Sequence, residues 1–143
     1  MTDVVQDKRA VGAHQLWYAS DIGFVIMIHN GVIDEVEARE IAVYLDDKSN
    51  GERLFFLADT RLAAGYTVEA RKILATSKVV SRGVDVAIFG ASPVVRVLFT
   101  LAVTAAKLVA GGKVTAHVSA DEGPARAWLT ERRRAYLAQK AST

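Results

Sequence analysis

The 143-residue chain contains no cysteine, which excludes disulfides, thiolate metal sites and cysteine nucleophiles. It has only two prolines, and no repeat, low-complexity tract or long linker divides it, so one domain is expected. Excess charge is also lacking. The formal +2 is too small to imply a polyanionic partner, and most of the basic surplus sits in "ERRRAYLAQK" near the C-terminus; no nucleic acid is expected. Arg132, Arg133 and Arg134, flanked by Glu131, read as the solvated side of a terminal helix. The N-terminal "MTDVVQDKRAVGAHQ" lacks an uninterrupted apolar core behind a basic start, so no secretory signal is read there and the expected location is cytoplasmic.

The motifs of catalysis are missing too. His14, His29 and His117 lie on or at the ends of strand-like runs, none at i, i+4 from another ligand, so no metal is expected. "GAS" at 90–92 is not a nucleophile elbow. "GASPVVRV" lacks the lysine and second glycine of a P-loop, and no dinucleotide fingerprint is present. No catalytic residue and no cofactor are expected.

What the chain does have is alternation of strands and helices, with half of its residues apolar (51%). Residues 1–13 read as a polar leader, 14–138 as the domain and 139–143 as a tail. "HQLWYAS" and "FVIMIH" predict an antiparallel hairpin. Asp34 with Glu37 has capping-box spacing, and Ala38, Ile41, Ala42 and Leu45 give a helical stripe. "LFFLAD" predicts a buried strand and a loop after Asp59, with Thr67 capping a helix over 68–80. "VDVAIFG" predicts the next strand, "ASP" the start of a long apolar helix, "VTAHVS" a last strand, and Asp121 the cap of a final helix. This order, β-β-α-β-α-β-α-β-α, implies an α/β fold with a mostly parallel sheet and an antiparallel N-terminal hairpin, covered by helices.

The segment "PVVRVLFTLAVTAAKLVAGG" has few polar residues. Only ten residues separate Arg96 from Lys107, short of the roughly 20 a bilayer requires, so no membrane span is expected. Arg96, Thr100, Thr104 and Lys107 form one stripe, and the rest is apolar nearly all round. Such a helix is buried on more than one side. Either it packs on a second copy, giving a homodimer, or it lines a cavity for a lipid-like ligand; the candidate residues are Val95, Leu98, Phe99, Ala102, Ala105 and Ala106.

The stretches "FVIMIHNGVIDEVEAREIAVYL", "LFFLADTR", "YTVEARKIL", "VAIFGASPVVRVLFTL" and "DEGPARAWL", in this order, resemble the STAS family of SpoIIAA-like bacterial proteins across about residues 14–135. The resemblance implies the STAS (SpoIIAA-like) fold and a non-enzymatic regulatory or protein-binding module like the anti-sigma-factor antagonists. In those, a serine in an Asp-Ser-Ser/Thr-Gly motif is phosphorylated at a helix start. Here the matching stretch is Thr67-Val68-Glu69-Ala70, without the serine pair or the glycine. Thr67 is therefore an N-cap in its ordinary role and the one candidate phosphoacceptor. The expected partner-binding surface is Asp59, Thr60, Arg61, Tyr66, Thr67 and Ser92, for a protein partner.

Overall fold

The computed structural model describes residues 3–142. Six strands form one sheet in strictly sequential order: β1 (Val5–Val11), β2 (His14–Ala19), β3 (Phe24–Ile33), β4 (Leu54–Tyr66), β5 (Val84–Phe89) and β6 (Val114–Ser119). The first three are antiparallel, and β3 to β6 are parallel. The helices are α1 (Glu35–Ser49), α2 (Val68–Ala75), α3 (Lys78–Arg82), α4 (Pro93–Ala110) and α5 (Glu122–Ala141).

Two buried clusters divide the core. Val25, Met27, Leu54, Ala58, Val86 and Ile88 meet α1 to α4 through Ile41, Leu45, Val79 and Phe99. The alternate residues Phe24, Ile26, Phe55, Leu57, Ala87 and Phe89 meet Ala125 and Leu129 of α5. This is the two-residue period of strands covered on both faces.

Helix starts follow the side-chain chemistry. Asp34 and Glu37 form a reciprocal capping box on α1, satisfying two otherwise free N–H groups. Thr67 accepts from Ala70 N–H and Ser92 from Val95 N–H, with Pro93 in the first turn of α4 where its missing N–H costs nothing. Asp121 stands at the N-cap position of α5 but its side chain makes no capping bond.

Four expectations about elements need correction. The polar leader contains β1, an edge strand whose residues 5–10 are exposed, so it shows no alternating apolar pattern. The helix expected over 68–80 breaks at Thr76–Ser77 into α2 and α3; the Thr76 and Ser77 hydroxyls bond back to the carbonyls of Lys72 and Leu74, competing with helix continuation. The tail is helical to Ala141. The loop expected after Asp59 is strand as far as Tyr66, paired with β3 through register shifts near Ile28–Asn30 and Gly31–Val32.

Candidate functional site

Residues 60–66 of β4 run beyond the end of β5, whose pairing with β4 stops at Asp59–Phe89. Asp59 and Arg61 sit at this step. Arg61 donates from Nε (3.0 Å) and Nη2 (2.6 Å) to the Asp59 carboxylate, and its guanidinium lies 5.5 Å from the Phe89 ring centroid. Burial would raise the Asp59 pKa, but the Arg61 hydrogen bonds and charge outweigh it and hold the carboxyl below its usual value. Gly90, at φ +74°, makes room: a Cβ there would lie 2.3 Å from Arg61 Cγ.

The expected partner-binding residues do not form one surface. Asp59 and Arg61 are together. Thr60 is buried, its hydroxyl donating to the Phe89 carbonyl at 2.7 Å. Tyr66 packs inward with its ring centroid 5.0 Å from that of His29, and burial pushes its pKa up. Thr67 and Ser92 use their hydroxyls as caps.

The α4 residues expected to form either a dimer face or a ligand-cavity face divide by burial. Val95, Phe99 and Ala106 are buried in the core and Leu98 and Ala102 are half-buried; of the six, only Ala105 is exposed. Phe99, Ala102 and Ala106, the cavity alternative of the two, line an apolar space of about 110 Å³ between the sheet and helices α1 to α4. The exposed apolar side of α4 carries Val94 (64% exposed), Val97 (60%), Leu101 (50%) and Leu108 (85%). By length and composition Pro93–Lys113 would suffice to cross a membrane, and 17% of its most apolar 18-residue window is buried in the fold. Leu98 braces the β4 extension: a Cβ on Gly65 would lie 2.8 Å from Leu98 Cδ1.

Two side-chain clusters escape sequence reasoning. At the extended end, His14 and His29 are both fully buried with ring centroids 5.3 Å apart. The Asn30 N–H donates to His14 Nδ1 (3.0 Å), so Nε2 carries the proton, 3.4 Å from Glu37 Oε1. His29 Nε2 donates to the Gly65 carbonyl at 3.2 Å, which leaves its Nδ1 without a partner among the described residues. The signal was the hairpin register: setting Gln15 opposite Ile28 brings His14 against His29.

At the opposite end of the parallel strands, Asp85 is 1% exposed. It accepts from Arg53 Nε (2.9 Å) and Nη2 (2.8 Å), from the Thr115 hydroxyl and from Arg132. Burial raises its pKa, while these hydrogen bonds and the Arg53 and Arg132 charges prevail and lower it. A buried carboxylate requires such pairing. Among the described residues no group of three or more His, Cys, Asp or Glu side chains is placed to hold a metal ion.

No family model matches the chain, and no curated protein matches it. Among solved structures it is similar to an uncharacterized protein of the DUF3478 family with a SpoIIAA-like fold from Shewanella loihica PV-4. The identity is 14% and the TM-score 0.53, over 90% of this chain and 98% of that one. The strand order, the antiparallel opening and the helical cover agree with that likeness: the chain has the SpoIIAA-like α/β fold.

Proposed function

We propose that the protein is a non-enzymatic regulatory module, akin to the anti-sigma-factor antagonists but without their serine switch, and that it works as a homodimer joined through the outer side of α4. The observation that carries this reading is the exposed stripe Val94, Val97, Leu101, Thr104 and Leu108. Its 3-4-3-4 spacing is that of a coiled-coil seam, which wants a second helix. Together with Ala105 and Val109, these side chains make a contiguous exposed patch, and an apolar surface of that kind marks an interaction site more often than bare solvent-facing surface. A second copy fits because the seam itself carries no charge: Arg96 and Lys107 lie beside the stripe without interrupting it, so the same apolar side chains can meet across a two-fold axis. The Thr67 and Ser92 hydroxyls each accept a helix N–H, an ordinary capping role that needs no phosphate.

Analytical ultracentrifugation tests the assembly. The wild-type chain should sediment as a dimer at micromolar concentration and Leu101→Glu as a folded monomer. A wild-type monomer, or one that partitions onto anionic vesicles instead, would overturn the reading.

The cavity favours a second reading, a carrier of small lipid-like molecules. At about 110 Å³ it is smaller than the roughly 300–1,000 Å³ of most ligand pockets, so it suits a short apolar group. Native mass spectrometry of freshly purified protein should then show a retained apolar molecule; bare protein that also takes up no benzene would remove this reading.

A further inference from the structure

We propose that the cleft between the β2–β3 turn, the α1–β4 loop and α5 binds a small oxyanion, a carboxylate or a phosphate group, through Arg133. The cleft has a volume of about 200 Å³ and includes three cations, Lys48, Arg53 and Arg133, against one acid, Glu52. Most of these charges are already matched. Lys48 pairs with Asp7 and Asp47, Arg53 with Asp85, and Glu52 with Lys140 and the Tyr136 hydroxyl.

Arg133 differs from its neighbours. Arg132 reaches Asp85 and Arg134 reaches Glu131. Among the described residues, no hydrogen bond or ion pair engages Arg133 or the Tyr18 hydroxyl. The Arg133 guanidinium does have one close neighbour. It rests on the turn at Gly23, where φ is +72° and a Cβ would lie 2.3 Å from Nε and 2.8 Å from Nη2. The turn thus reserves space for a charged fork that has no protein acceptor. An oxyanion supplies one through charge-assisted hydrogen bonds, the geometry guanidinium groups serve best. Leu54, Phe55 and Leu137 give the cleft an apolar wall, which favours an anion carrying a small ring or short chain over a bare ion.

The test is an amide chemical-shift titration of the full chain with inorganic phosphate and, separately, with benzoate, at constant ionic strength. Saturable shifts centred on Gly23 and Ser49–Glu52 with either probe are expected, and the better probe tells phosphate from carboxylate. Arg133→Gln should weaken binding about tenfold or more, and Arg134→Gln should leave it unchanged. Circular dichroism establishes that each variant is folded; should Arg133→Gln fail to fold, Arg133→Lys, which keeps the charge and loses the fork, takes its place. Shifts that never saturate, that persist undiminished in the Arg133 variant, or that Arg134→Gln reduces equally would overturn the site. The Leu101→Glu monomer should bind the same probe unchanged, since the cleft uses nothing from α4.

Discussion

His14 and His29 meet edge to face, ring centroids 5.3 Å apart at 68°, with neither imidazole exposed to solvent. Burial, reinforced by the neighbouring His14, pushes the His29 pKa down to about 4 from 6.5. The folded value lies below the unfolded one, so the unfolded chain takes up the proton first as pH falls. The contribution is fully present above pH 6.5 and drains away between there and about 4, at up to roughly 1.4 kcal/mol per pH unit. Urea unfolding at stepped pH should show that slope. In His29→Phe it should flatten; an unchanged slope would place the acid sensitivity elsewhere.

Removing Asp85 should be severe. Asp85→Ala leaves Arg53 and Arg132 without their shared carboxylate in a largely buried setting, a change that costs about 3–5 kcal/mol. Thermal and chemical unfolding of the variant measure it, and a loss below about 1 kcal/mol, the worth of a surface pair, would contradict the network described.

Thr67 separates capping from signalling. Thr67→Ala should cost about 1 kcal/mol, and Thr67→Asn should recover most of it, because either side chain can accept the Ala70 N–H. Dimer content should stay constant across the series. A Thr67→Ala protein of normal stability that had lost its self-association would point to a signalling hydroxyl instead.

The cavity predicts a gain. Ala106→Val adds apolar volume to its wall, and cavity filling of this kind commonly adds about 0.5–2 kcal/mol. Calorimetry reads the rise; a drop would mean that the space is closed to an extra methyl group by its surroundings.

Much of the fold was legible because its signals are local. The Asp34–Glu37 box, the Thr67 and Ser92 caps and the apolar runs of β3 and β5 each report on a few neighbouring residues. Beyond that range the reading failed for physical reasons. In α4 the polar stripe marked one side, but the remainder is apolar almost all round, and nothing in the helix distinguishes the apolar side that meets the sheet from the one left bare. The periodicity therefore leaves Val95 and Phe99 open to either a dimer face or a cavity face, and it does not single out Val94 and Leu101, which the fold leaves exposed. Residues 60–66 read as a loop because Asp59 and Gly65 are turn-forming types, whereas pairing with β3 decides their conformation. The Arg133 cleft depends on a turn 110 residues away along the chain (Gly23 to Arg133), and no periodicity records that.

The strand order carries one more consequence. Since every strand lies beside its neighbours in sequence, the sheet can grow in the order the chain leaves the ribosome, with no early strand waiting for a distant partner. The parallel pairings of β3 to β6 each close across at least one helix, a slower step than a hairpin, but none waits for a segment beyond the next strand. The exception is the face of Phe24, Phe55 and Phe89, which only α5 covers. That surface stays open to water, and to other nascent chains, until α5 has been synthesised, so the interval before α5 emerges is when these strands are most exposed to aggregation.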